Sequence, residues 1–208
     1  MSLLRKVYTS IYFGNFEFND GFSGLKQPLE WFVLDVDEVN NKVLLLSKSL
    51  VDLEGYANCP IFGNGYKTSW STSYLRIWLN SDFFDKTFNA EEKTLICPTH
   101  ISPMKRLHKK TLDRVFLLSE TEYKKYFPDG YGKAYIRYIS NITPKLVEVK
   151  FEKWDWWLRD VSEHDDSLVK CVSASGDEIF LADSNSNEHG VRPAMWVKYD
   201  EKLLFSLL

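Results

Sequence analysis

At 208 residues, with 26% charged and 44% hydrophobic side chains, the chain has the size and composition of an ordinary globular domain. Residues 1–208 therefore read as a single domain, neither disordered nor membrane-resident. A net charge of -3 without a long basic block argues against a nucleic-acid partner, because phosphate neutralisation supplies most of that affinity.

Met1-Ser2-Leu3 has the form of a cloning remnant, and Met1–Lys6 leads into Thr9 and Ser10 without the apolar run of a secretory signal or a membrane span. A cytoplasmic location is expected of the sequence as written, and the location is open if a signal or anchor was removed from its start. Val7–Phe13 is β-branched and aromatic and predicts an opening strand closed by Gly14. Trp31–Val36 and Lys42–Ser47 are apolar runs joined by Asp37-Glu38-Val39-Asn40-Asn41, the pattern of a buried antiparallel hairpin. Cys59–Tyr66 carries Pro60, Gly63 and Gly65 and reads as a loop. Ser71, Thr72 and Ser73 offer N-caps to a helix in which Leu75, Trp78 and Leu79 repeat at i, i+3, i+4, with Asn80 as its stop.

Asn89 and Glu92 have the spacing of a capping box for a second short helix that ends before Pro98. Lys105-Arg106-Leu107-His108-Lys109-Lys110 reads as a solvated loop, with a patch for an acidic partner as the alternative. Arg114–Leu118 predicts a short buried strand, and Ser119-Glu120-Thr121-Glu122 opens a helix that terminates at Pro128-Asp129-Gly130. A mixed segment runs to Pro144, and the last third returns to strands at 154–159, 168–173, 178–182 and 191–198. Strand-rich ends around two or three short helices describe an α+β domain.

The three cysteines, Cys59, Cys97 and Cys171, are odd in number and far apart, with no C-x-x-C. At most one disulfide could form, and reduced structural thiols are expected rather than a zinc ribbon or a redox pair. Seven Trp, eleven Tyr and fourteen Phe fill a core first, and Tyr and Trp also suit a recognition surface.

Taken in order, Ile11–Gly14, Leu29–Asp35, Leu44–Lys48, Ser69–Asn80, Val115–Ser119, Trp156-Trp157-Leu158-Arg159 and Gly190–Trp196 resemble the motif series of a bacterial family of uncharacterised domains. They cover nearly the whole chain. Members of that family are similar, in their last third, to proteins of C-type-lectin-like and formylglycine-generating-enzyme-like fold. The resemblance implies an α+β, mostly antiparallel domain with paired termini, two helices and an irregular loop region over the C-terminal strands, where such folds commonly bind their ligand. Two departures bear on local geometry. The family continues Trp-Trp-Leu-Arg with Ser-Pro-Gly where this chain has Asp160-Val161-Ser162, and the cysteine that often precedes the tryptophans is missing beside Trp154 and Asp155.

Arg159 and Arg192 stand inside aromatic runs, where a guanidinium must find a partner or face a cleft. Period-two alternation puts Trp157 with Arg159 on one strand face, and Arg192 with Ala194 and Trp196 on one face of the closing strand. If these faces converge they would receive a carboxylate or hydroxyl-rich ligand; otherwise each arginine pairs internally with Asp or Glu and braces the loops. Asp183-Ser184-Asn185-Ser186-Asn187-Glu188 alternates oxygen groups as a calcium loop does, but Glu188 stands where Gly is needed and Ala194 where Glu is needed. A polar loop is expected there, and also at Glu163-His164-Asp165-Asp166. His100, His108, His164 and His189 lack metal spacing, and no nucleophile elbow, phosphate loop or dinucleotide fingerprint occurs. With only Cys171 in the last third, the paired cysteines of the formylglycine-generating oxidases are missing.

The resulting expectation is a non-enzymatic ligand-binding module without a cofactor. Its partner is an unidentified carbohydrate, small molecule or protein, and neither a nucleic acid nor a membrane. Candidate binding residues are Trp157, Arg159, Asp160, Asp183, Asn185, Asn187, His189, Arg192 and Trp196. An enzyme of the formylglycine-generating-enzyme-like fold and a structural or protein-interaction domain are the alternatives.

Overall fold

A computed structural model describes residues 10–18, 26–52, 68–103, 105, 108–130, 132–143, 146–186 and 188–199. The expected loop at Cys59–Tyr66, Asn187, and parts of the expected first strand and of the basic run lie outside these residues. In chain order the strands are β1 (Ser10–Phe16), β2 (Gln27–Asp37), β3 (Lys42–Ser47), β4 (Ile96–Cys97), β5 (Thr99–Ile101) and β6 (Thr111–Asp113). They continue with β7 (Tyr135–Thr143), β8 (Leu146–Lys153), β9 (Trp156–Val161), β10 (Leu168–Val172), β11 (Ile179–Asp183) and β12 (Ala194–Lys198). The helices are α1 (Tyr74–Trp78), α2 (Phe84–Thr87), α3 (Ala90–Leu95) and α4 (Glu120–Tyr126). Among the described residues every pairing between named strands is antiparallel, which makes the fold α+β with mostly antiparallel strands.

The main sheet has the order β1-β2-β3-β12-β4. Val43 to Leu46 has no polar alternation, so β3 must be covered on both faces, and all four side chains are at most 2% exposed. The resemblance implied paired termini; instead β1 and β12 share this sheet with β2 and β3 between them. Lying against the apolar run of β3 buries β12 more completely than an edge position beside β1 would. Gly14 does not close β1. It sits at φ +74° where the register with β2 shifts between Tyr12 and Asn15, and a Cβ there would come within 2.7 Å of the Phe88 ring.

Ser73 caps α1 by accepting from the Arg76 N–H at 3.1 Å. Asn80 does not stop the helix, which widens into a π turn over Leu79–Phe83 and continues through α2. The Asn80 side chain serves another segment. Its Oδ1 accepts from the backbone N–H groups of Arg114 (2.7 Å) and Val115 (3.2 Å), and its Nδ2 donates to the carbonyls of Arg76 (3.0 Å) and Val115 (2.8 Å). With those backbone groups satisfied, 114–118 needs no full ladder. The strand expected there is an extended segment with a single bridge, Phe116 to Ala194.

Buried Asp113 ties the same two regions together, accepting from Trp70 Nε1 (2.8 Å), Arg76 Nε (2.7 Å) and Thr111 Oγ1 (2.6 Å). Both expected capping boxes form, at Asn89 with Glu92 and at Ser119 with Glu122. The mixed segment running to Pro144 contains β7, which pairs with β8 beyond that proline. In the last third, β9, β10 and β11 form a separate sheet of order β11-β10-β9, while β12 joins the main sheet.

Replacing Asn80 by Ala leaves two donors and two carbonyls of this junction without their side-chain partner. The expected loss is about 2–3 kcal/mol of stability, read as a lower urea midpoint, whereas Val39→Ser at a turn position 91% exposed shifts it by no more than about 0.5 kcal/mol.

Candidate functional site

All six residues of β9 are buried, and its register with β10 is broken. Trp156 faces Val172 and Trp157 faces Cys171, but Val161 then faces Val169, so Leu158, Arg159 and Asp160 stand against Lys170 alone. Such a bulge re-aims side chains. Strict alternation would send Arg159 and Asp160 to opposite faces; here both line one cleft.

The Arg159 guanidinium is held by its Nη1, which donates to Leu117 O (2.7 Å) and Glu122 Oε2 (2.5 Å), and by its Nη2, which donates to Glu122 Oε1 (3.0 Å). It also lies over the Phe116 ring at 5.8 Å. Asp160 Oδ2 accepts from the backbone N–H of Glu120, the first residue of α4, at 2.6 Å. Burial pushes the Asp160 carboxyl above its ordinary pKa, against the opposing pull of that N–H, Arg159 and Lys170.

The cleft is shallow: it spans about 320 Å³ when open solvent is counted, and its interior has room for about one water-sized sphere. Trp70, Ile101, Pro103, His108 and Val161 line it with the Arg159–Asp160 pair. Asp166 ties down the neighbouring loop through an ion pair with Lys105, with His108 Nε2 at 3.9 Å, and accepts the Thr68 N–H through its carbonyl at 2.9 Å. The Ser184 N–H donates to Ser167 O at 2.8 Å, joining the Asp183 loop to the 163–167 loop at the same end of the three-stranded sheet. Within it, Asp183 Oδ1 accepts from Asn185 N at 2.8 Å, a local turn with both side chains exposed.

The other candidates lie elsewhere. The buried His189 ring stands edge-on to Trp157 at 4.6 Å and near Phe180 at 5.7 Å, with Nδ1 4.0 Å from Asp155 Oδ2. Burial lowers the His189 pKa, favouring the neutral ring. Cys171, in register with Trp157, is fully buried, and burial pushes its thiol pKa well up. Arg192 is also fully buried. Its Nε donates to Ser47 O and its Nη1 to Gly132 O, both at 2.9 Å, and the group lies 4.9 Å from the Trp156 ring. Burial pushes its pKa down to about 9, which leaves it protonated at neutral pH. Half-buried Trp196 belongs to the main sheet, with Lys42 Nζ 4.8 Å from its ring.

Among the described residues the two arginines thus share no partner. Arg159 forms an ion pair with Glu122, and Arg192 is held by carbonyl oxygens rather than by Asp or Glu. Sequence reasoning missed Trp70, Ile101, His108 and the second role of Glu122. Only the capping-box spacing of Glu122 was visible in advance.

Among the described residues no three His, Cys, Asp or Glu side chains come together to hold a metal ion, and no helix is long and apolar enough to cross a membrane. Comparison with protein families matches residues 40–199 to DUF6273, a domain of unknown function. The chain belongs to this family. The DUF6273 match takes in the cleft and every candidate residue, while β1 and β2 precede it. No curated protein and no solved structure matches the chain.

Arg192→Met removes the donor to two core carbonyls, and a loss of about 3 kcal/mol is expected in urea unfolding. Asp160→Asn behaves differently. Because the Asp160 pKa is raised in the fold, the folded state binds its proton more readily than the unfolded chain does. Stability from this group therefore falls as pH rises from its ordinary 3.8 through the raised value, and stays lower above it. The uncharged amide removes that dependence while still accepting from Glu120. Urea midpoints of D160N at pH 7 are expected at or above those of the unsubstituted protein.

Proposed function

We propose that this member of DUF6273 is a non-enzymatic ligand-binding module of C-type-lectin-like architecture, its ligand held by the loops around 159–166 and 183–192. The observation that carries this reading is the cleft beside those loops, in which Asp160 keeps a carboxyl group at 6% exposure. Keeping such a group buried costs free energy, and binding sites are where that cost brings a return. The irregular loops joined by Ser184 and Ser167 over the β9–β11 sheet support the architectural part. The raised pKa of the buried Cys171 thiol speaks against a thiol-based enzyme.

Thermal unfolding against carbohydrates, amino acids, nucleotides and other small polar molecules tests this reading. A ligand present at about a hundred times its dissociation constant adds about 2.7 kcal/mol, a rise of roughly 5–10 °C for a chain this size. The rise is expected to shrink in D160N, and in Asp183→Ala or Asn185→Ala if the second loop contributes. A flat response across the panel overturns the small-ligand reading in favour of a protein-interaction domain, for which the exposed Tyr74 and Ile77 on α1 are the first surface to test.

A further inference from the structure

β11 is an edge strand. In the order β11-β10-β9 it pairs with β10 on one side, and no described strand lies on the other. The phase of its hydrogen bonding is set by the bonds at its two ends, where the Ser173 N–H donates to Glu178 O at 2.9 Å and the Ser184 N–H donates to Ser167 O at 2.8 Å. Antiparallel bonding alternates, so Phe180 and Ala182 turn their backbone groups to β10, while Ile179, Leu181 and Asp183 turn theirs to the outer edge. The Asp183 carbonyl accepts from the Ser186 N–H at 2.9 Å, which leaves Ile179 and Leu181 each presenting an N–H and a C=O along that edge.

Such edges are commonly blunted by a bulge, a proline or a charge in the middle of the strand. β11 has none of these. Its register with β10 is unbroken from Ile179 to Asp183, and Leu181 stands 45% exposed at its centre with half-buried Ile179 on the same face. Charge is found at the two ends instead, on exposed Glu178 and Asp183. Lys170, in register with Leu181, is already paired with Glu120.

We propose that the β11 edge takes an extended segment of a partner protein, apolar at its centre and carrying lysine or arginine at each end, as an added strand of this sheet. The backbone groups of Ile179 and Leu181 supply the ladder, their side chains favour an apolar centre, and Glu178 and Asp183 favour the basic ends. The same charges disfavour a second copy of this chain. Antiparallel pairing about Leu181 sets Asp183 of one copy beside Ile179 and Glu178 of the other, and parallel pairing sets each acid against itself. This edge goes beyond the small-ligand reading and does not depend on it, because β10 separates it from the cleft residues of β9.

The test is amide hydrogen exchange and chemical-shift mapping by NMR on the full-length, ¹⁵N-labelled protein. The probe is a capped peptide of alternating threonine and valine with a lysine at each end. One comparison peptide has glutamate at both ends, and another has proline in place of the valines, which removes backbone donors. With the lysine peptide at saturation, exchange at Ile179 and Leu181 is expected to slow at least fivefold, while Phe180 and Ala182, already bonded to β10, change less than twofold. Binding at least tenfold weaker is expected for the glutamate and proline peptides. Glu178→Lys is expected to weaken the lysine peptide and strengthen the glutamate peptide. Equal binding of the lysine and glutamate peptides, or an unchanged β11 pattern with the lysine peptide, overturns the proposal, and this comparison holds even where E178K does not fold. Protection of Ile179 and Leu181 that grows with protein concentration alone overturns it in favour of a second copy. A flat thermal panel removes the small-ligand reading and leaves this edge standing, and failure of the lysine peptide leaves the cleft untouched.

Discussion

The two-pronged contact between Arg159 and Glu122 is the interaction on which the cleft depends. Glu122 Oε2 accepts from the Ser119 N–H at 2.8 Å, and both Glu122 oxygens receive the Arg159 guanidinium. One carboxylate thus caps a helix and fixes a strand 37 residues away. Glu120 extends the junction, because its N–H is taken by Asp160 while its carboxylate pairs with Lys170, the residue facing the bulge. The N-terminus of α4 and the bulged part of β9 are therefore a single polar unit, and a flat β9 would have no need of it. Exposed ion pairs contribute little, but this one has its arginine 9% exposed and a planar two-bond geometry, so it orients as well as attracts.

The same principle explains much of the polar content of the core. At segments without a full ladder and at a strand end, side chains from distant positions satisfy backbone groups. Asn80 serves Arg114 and Val115, Arg192 serves Ser47 and Gly132, and Arg159 serves Leu117. Gly132 O also accepts from Trp156 Nε1 at 3.1 Å, so both tryptophan and arginine meet at one carbonyl. The polar residues of the Ser69–Asn80 and Gly190–Trp196 segments are in this sense part of the scaffold. Gly190 has a comparable role: a Cβ there would lie 2.2 Å from Leu50, a side chain 1% exposed. Asp160 is satisfied from the other side: its Oδ2 accepts from the Glu120 backbone N–H at 2.6 Å.

Much of the local structure was legible in the sequence. The capping boxes at Asn89 and Ser119, the hairpin around Asp37–Asn41, the β10 and β11 strands and the α+β class all follow from signals a few residues long: cap spacing, turn composition and apolar runs. The misreadings share a cause. Gly14 and Asn80 are ordinary punctuation in a sequence, yet the packing of Phe88 gives the first a place inside a strand, and the backbone of 114–115 gives the second a place inside a helix.

By itself, then, the sequence determined where short helices begin, which runs are buried, and that Arg159 and Arg192 each had to find a partner or face a cleft, because an unpaired guanidinium is too costly to bury. Which partner each one found was decided only by the tertiary structure. Glu122, Ser47 and Gly132 lie 37, 145 and 60 residues away, and no local spacing encodes such distances. The bulge that turns Arg159 and Asp160 into one cleft was likewise invisible in advance. It exists in the register between two strands, a relation between segments that no one segment carries.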